Sequence, residues 1–267
     1  EFMVKQIVQP YYIPWYKITG QTAKFQEMRR EGDQMVLDYV RQRRNEPQPV
    51  MDMLEFILNT PYEDGTHMPD DQVKIEILQL LIAGNETSSI ALSWTFYLLG
   101  QNPDFQQEVR DEIEEVFGSR GIDYTGLHEL KKTTRILFEA LRMYPPFWMI
   151  DREAINDDEF NGIEIEAGTM VVPYIYGVHR NEDFWKDPEV FNPNRFDSDM
   201  HPFAHIPFGG GPRVCIGQNM AMMQILLVLA TVMRKYRFKK SGDEKVGTHP
   251  MMILRPEGQI NLLFEPV

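Results

Sequence analysis

Apolar side chains recur at helical spacing through most of the chain, and the charged residues between them mark faces left to water. From 14 to 44 the residues are largely helix formers with many charges, and two prolines between 46 and 49 end that run. A shorter helical pattern covers 51–59, and a turn follows at 61–65. Pro69, Asp70 and Asp71 suit the first turn of a long helix, fixing φ and setting two acids at the positive end of the dipole. That helix runs to about Gly100, and its roughly 30 residues would span some 45 Å at 1.5 Å each. Further helices are predicted over 102–117, over 127–143 where Pro145-Pro146 stops the chain, and over 218–236. Between 153 and 176 the character changes: 162–165 and 170–176, hinged at Ala167-Gly168, predict a short hairpin. A second is predicted from 251–254 with 260–264 around Pro256-Glu-Gly258. The fold class is therefore mainly α with small β-sheets. No repeat, low-complexity run or linker interrupts it, so 1–267 reads as a single domain.

A chain of 267 residues, 43% of them hydrophobic, can bury a large core. Its formal net charge of -13 argues against nucleic acid as a partner, because phosphate binding needs a basic surface. The single cysteine excludes an intramolecular disulfide and fits a reducing compartment. The most apolar long stretch, 73–99, is interrupted by Lys74, Glu76, Gln79, Asn85 and Glu86, which makes it a buried core helix and no membrane span. No signal peptide opens the chain, which starts at Glu1-Phe2 without an initiator methionine, and a cytoplasmic location is the expectation.

The candidate chemistry centres on Phe208-Gly-Gly-Gly-Pro-Arg-Val-Cys-Ile-Gly217. Gly209, Gly210, Gly211 and Gly217 let the backbone come close to a flat group and adopt positive φ, and Arg213 adds positive charge beside the lone thiol of Cys215. One thiolate cannot build a structural zinc site, which needs several Cys or His ligands at close spacing. It can serve as an axial haem ligand; the alternative is a buried cysteine in a glycine-rich turn. In the long central helix, Ala83-Gly84-Asn85-Glu86-Thr87-Ser88 interrupts an apolar run with a glycine and two strongly polar residues. Ala83 and Gly84 share a face with Thr87, leaving a notch of small side chains with one hydroxyl in it, while Glu86 points about 100° away. Taken alone, this stretch reads better as a helix kink with a capping-type threonine.

The pattern Phe-x-x-Gly-x-Arg-x-Cys-x-Gly resembles the haem-binding signature of the cytochrome P450 family, with Phe208, Gly211, Arg213, Cys215 and Gly217 at the matching positions. The 83–88 stretch resembles that family's oxygen-binding helix motif. Glu139-Ala-Leu-Arg142 and Phe191-Asn-Pro-Asn-Arg195-Phe196 resemble two more of its segments. The resemblance implies a cytochrome P450-like fold lacking the family's N-terminal part, which normally supplies the first strands and much of the substrate pocket. It implies haem b (iron protoporphyrin IX) ligated by Cys215 as the metal ligand. Arg213, Arg152, Phe208, Gly209, Gly217, Ala83 and Gly84 would line the cofactor, and His205 is a further candidate for its propionates. Thr87 and Glu86 become the catalytic proton relay, and Glu139, Arg142 and Arg195 a structural triad holding the cysteine loop.

Thiolate ligation favours cleavage of the oxygen–oxygen bond. The activity implied is thus a monooxygenase, inserting one atom of O2 into a small apolar substrate with electrons from a donor protein, a reductase or a ferredoxin or flavodoxin. Ile82, Phe147, Trp148, Met149 and Ile150 would line the pocket, with Ile90 beside them. The same residues read one by one as ordinary core. The basic run from Arg234 to Lys240 reads either as a flank of the donor's docking face or as a solvated helix end. Two other classes stay open. One is a haem protein without monooxygenase activity: a peroxide-using or rearranging enzyme, or a sensor. The other is a non-enzymatic truncated fragment.

Overall fold

The structure, a computed structural model, describes residues 2, 5, 6 and 9–267. The chain divides into two compact units, Glu1–Asn85 and Glu86–Val267. In the first, the helix predicted over 14–44 is two: α1 (Ile13–Ile18) and α2 (Gln21–Asn45). Gly20 separates them at φ 74°, a left-handed conformation that costs glycine nothing and breaks the helical ladder. A short helix, α3 (Met53–Asn59), follows, capped by the Asp52 carboxylate, which accepts from the Glu55 amide at 2.9 Å. That amide, and then the Arg43 guanidinium at 2.8 Å, hold the Asp52 carboxyl below its usual range. Val40, Leu54, Leu58 and Val73 form the core of this unit. Val73 lies in the first turns of the long helix α4 (Asp70–Leu99), whose 30 residues match the predicted span.

The second unit is built on the later part of α4, then α5 (Pro103–Phe117), a single turn α6 (Tyr124–Leu127), α7 (Lys131–Met143), a turn α8 (Ile175–Val178) and α9 (Gln218–Lys235). Leu99, Val109, Ile113, Ile136, Leu137, Ile225 and Leu229 meet in its main core. Burying each large aliphatic side chain contributes about 1.5–3 kcal/mol. A second cluster holds Trp94 stacked on Tyr144, ring centroids 3.8 Å apart, where burial pushes the Tyr144 phenol up to about 12. Two buried polar side chains fix the helices' ends. The Glu112 carboxylate accepts from the amides of Lys132 (2.7 Å) and Thr133 (2.8 Å) at the start of α7, satisfying donors that a helix N-terminus leaves open. The Gln106 amide donates to the carbonyls of Leu99 (2.8 Å) and Phe238 (2.6 Å).

Four two-stranded antiparallel sheets complete the unit, and their pairing corrects both predicted hairpins. β2 (Asp158–Phe160) pairs with β3 (Ile163–Ile165), while β1 (Arg152–Glu153) pairs with β4 (Met170–Val171) outside them. Asn161 and Gly162 both take positive φ, 51° and 79°, which makes the two-residue turn that the hairpin needs. Residues 174–178 coil into α8 instead of continuing a strand. At the C-terminus β6 (Thr248–Pro250) pairs with β7 (Leu254–Pro256), and β5 (Tyr236–Lys240) with β8 (Leu262–Pro266). The basic run is therefore mostly strand. Arg234 donates to the Gly118 carbonyl and, at 2.7 Å, to that of Arg120. No described helix is long and apolar enough to cross a membrane.

Candidate functional site

The loop before α9 presents Cys215 as an exposed thiol. Gly209 and Gly211 take φ of 75° and 69°, values that side chains with a Cβ resist. A 3-10 turn, Gly211–Arg213, lies between them and the cysteine. The Cys215 amide donates to the Phe208 carbonyl at 3.0 Å, and that of Gly209 to Ile206, also at 3.0 Å, so the loop closes on its own backbone. Phe208 packs against the main core, and Gly217 caps α9, where an added Cβ would stand 3.8 Å from the sulfur. Around the thiol the surface is apolar and open: Ile216 is 98% exposed and Val214 is also exposed. Arg213 is exposed in the turn.

Beneath the loop lies a layer of buried charge. Arg142, fully buried, forks onto Glu139 at 2.7 and 2.9 Å, the bidentate geometry that makes the strongest such pairs. Arg195 adds its Nε to the same carboxylate at 3.0 Å, and the Asn192 amide donates to it at 2.9 Å. The structure thus brings Glu139, Arg142 and Arg195 together, from α7 and from the 3-10 turn Pro193–Asp197. Each cation also engages carbonyls, Arg142 that of His179 at 2.8 Å and Arg195 that of Lys186 at 2.8 Å, and the Trp185 ring lies under both guanidinium groups. A buried charge survives only when it is matched in this way.

His179, wholly buried, was not singled out for any chemistry, and no spacing to another ligand marks it in the sequence. Its Nδ1 lies 3.2 Å from the Arg142 carbonyl, and its Nε2 accepts the Ile206 amide at 2.9 Å. Burial, then His205 nearby, pulls its pKa down to about 3. His205 lies beside it in a largely aromatic setting. Its Nε2 meets the Phe138 carbonyl at 3.1 Å, its ring packs among Phe138, Phe196 and His179, and burial lowers its pKa to about 4, leaving it neutral.

The remaining predicted residues are spread over the chain. Within α4, residues 79–85 are exposed, including Ile82, Ala83 and Gly84. Thr87 is half-buried on the same helix, and Ile90 is buried in core. Glu86 forms an ion pair with Arg255 of β7, a partner 169 positions away that no local pattern marks. Arg152 is exposed on β1, its Nη1 on the Asp151 carbonyl at 2.7 Å. Of the predicted pocket residues, Phe147 and Met149 are exposed, and the Trp148 indole donates to the Met251 carbonyl at 2.8 Å. Ile150 approaches the cysteine loop, its Cδ1 4.0 Å from where a Cβ on Gly209 would stand.

The loop thus combines positive-φ glycines with one outward thiol, and comparisons with known proteins place the whole chain. The family model described as cytochrome P450 matches residues 1–264. A human protein named ultra-long-chain fatty acid omega-hydroxylase is 34% identical over 225 residues, covering 81% of this chain and 42% of that protein. A Mycobacterium tuberculosis protein named putative cytochrome P450 132 is 33% identical over 243 residues, 90% of this chain and 52% of that one. The solved heme domain of cytochrome P450DA superposes with a TM-score of 0.83 at 28% identity, over 88% of this chain and 54% of that one. The chain belongs to the cytochrome P450 family. It spans about half the length of the curated relatives it matches.

The residues present fit the family's haem. An iron already held by four porphyrin nitrogens asks the protein for one soft donor, and Cys215 offers an exposed sulfur on a loop whose glycines leave room for a flat ring. Among the described residues no group of three His, Cys, Asp or Glu side chains competes as a metal site.

Proposed function

We propose that the chain is the thiolate-bearing part of a haem monooxygenase, with 1–267 belonging to one haem-binding domain. The observation that carries this reading is the exposed thiol of Cys215 on a glycine-bent loop whose backbone is tied to itself at Phe208 and Gly209. Haem, when bound, supplies the activation of O2, and thiolate ligation inclines it to oxygen–oxygen bond cleavage. The protein's part is to hold and to deliver protons. Cys215 ligates through Sγ, and Gly209 and Gly217 keep Cβ atoms out of the ring's way. Phe208 anchors the loop in the core, and Arg213 and Arg152 offer guanidinium groups to the propionates. By resemblance Ala83 and Gly84 give the small notch for oxygen.

Thr87 and Glu86 act as the proton relay in this reading. The Thr87 hydroxyl can both donate and accept, and the half-exposed Glu86 carboxylate exchanges protons with solvent. Glu139, Arg142 and Arg195 keep the loop in place. Phe147, Trp148, Met149, Ile150 and Ile82 favour an apolar substrate, and the human relative's name makes ultra-long-chain fatty acids the first to try. Electrons come from a donor protein.

Two variants test the reading. The reduced, carbon-monoxide-bound spectrum of the protein should carry the red-shifted band of thiolate ligation, and Cys215→Ala should abolish it; a variant spectrum like the parent's would end the proposal. Thr87→Ala should lower product formed per electron consumed by up to roughly a hundredfold, the low end of a general acid–base contribution. Full coupling in that variant would remove Thr87 from the relay.

A further inference from the structure

The ionic layer and the cysteine loop communicate through one imidazole. A carbonyl can only accept and a backbone amide can only donate, so the two contacts of His179 determine its state without reference to titration. Nδ1, 3.2 Å from the Arg142 carbonyl, must carry the proton, and Nε2, 2.9 Å from the Ile206 nitrogen, must offer its lone pair. The ring is neutral and a single tautomer. Its own carbonyl accepts from Arg142 Nη1 at 2.8 Å, which ties both ends of the residue to α7. From Ile206 the path runs on: its carbonyl accepts the Gly209 amide, and the next carbonyl but one, that of Phe208, accepts the amide of Cys215, each at 3.0 Å.

We propose that His179 is the positioning residue of the cysteine loop: its Nε2 fixes the chain at Ile206, where the loop leaves the ionic layer, and so sets how Cys215 is presented. Its functional meaning rests on the haem–thiolate reading, but its physical content does not. Glu139 and both arginines engage helix α7, the His179 carbonyl and the segment from 186 to 195; His179 alone among these side chains bonds the backbone of the 206–217 loop. The Ile206 amide, partly buried, keeps no acceptor there if Nε2 is removed, and an orphaned buried donor is destabilising locally.

Two amide-bearing variants separate the two bonds. His179→Asn places a donor near the Nδ1 position but is too short to reach Ile206; His179→Gln extends an oxygen toward the Nε2 position, where it can accept. In the purified protein without added hemin, amide exchange at Ile206, Gly209 and Cys215 should quicken on the order of tenfold in the Asn variant. It should stay near the parent value in the Gln variant, with α9 amides unchanged in both. After hemin is added, the thiolate-type band of the reduced, carbon-monoxide-bound form should be diminished in the Asn variant and retained in the Gln variant. Unchanged loop exchange in the Asn variant overturns the proposal, as does equal loosening of loop and α9 in both variants, which would mean a general packing role. If the parent protein takes up no hemin, the monooxygenase reading fails, and the exchange contrast still decides the role of His179.

Discussion

Two neighbouring regions of the second unit are built on opposite principles. In the layer of Glu139, Arg142, His179 and Arg195, every group is buried or nearly so and hydrogen-bonded to several others. In the loop that carries Cys215, the side chains from 209 to 216 are glycines or exposed, two glycines take positive φ, and the Gly209 and Cys215 amides bond to backbone carbonyls. The first region over-determines geometry, because each buried charge has no stable alternative to its partners. The second leaves room for something to approach the sulfur. One side-chain hydrogen bond joins the two regions, from the Ile206 amide to His179 Nε2.

The sharpest way to break the contrast is to unbalance the layer. Arg142→Leu strands the Glu139 carboxylate and should lower unfolding free energy by about 3–5 kcal/mol in urea titration. A loss under about 1 kcal/mol would mean that the layer is not buried as described. Glu112→Ala removes three hydrogen bonds at the start of α7, the helix that carries Glu139 and Arg142, and should cost about 1–3 kcal/mol in the same measurement.

Acid should act on the layer before it acts on the loop. His179 and His205 are held near 3 and 4 against an ordinary 6.5, so the unfolded chain takes up protons that the folded chain refuses. The groups facing His179 are cations or another imidazole: Arg142, Arg180 and His205 all oppose its protonation, and only the Arg142 carbonyl favours it. The stabilisation is therefore complete above about pH 6.5 and is lost as pH falls toward 3, with a slope of at most about 1.4 kcal/mol per pH unit for each group. Thermal melts between pH 7 and 4 should show that decline, and a His179→Gln, His205→Phe double variant should flatten it.

The last two effects are small in stability. Glu86 and Arg255 are each more than a third exposed, so a double-mutant cycle of Glu86→Gln and Arg255→Gln should give a coupling below about 1 kcal/mol. A larger value would move this pair into the class of the buried layer. Cys215→Ser should change the melting free energy by no more than about 0.5 kcal/mol while removing any thiolate spectrum, since an exposed thiol has little packing to lose. A strongly destabilised serine variant would erase the distinction between the regions.

Much of this was legible along the chain. Helix α5 was outlined by Asn102-Pro103 and α4 by Pro69 with its acids, because local chemistry at a helix start repeats from protein to protein. The strands were read less well. The Asn161-Gly162 turn carried a direct signal for its hairpin, and β5 hid in a basic run that looked like a helix end. Short strands have too few residues for period-two alternation to stand out, and which strand pairs with which depends on distant neighbours. Ile206 and Arg255 had no local mark, and nothing near His179 indicated its partners, since these bonds reach residues 27 to 169 positions away.

By itself, then, the sequence determined the helical framework, the lone thiol in its glycine-rich setting and the carboxylate–guanidinium pair one turn apart, because spacing along one helix or one loop fixes those neighbours. Only the tertiary structure decided that the Asn192 amide joins the carboxylate shared by Arg142 and Arg195, and that a neutral His179 links this layer to the loop. Burial and long-range hydrogen bonding depend on how elements pack, and a side chain's protonation state follows from what that packing sets against each of its atoms.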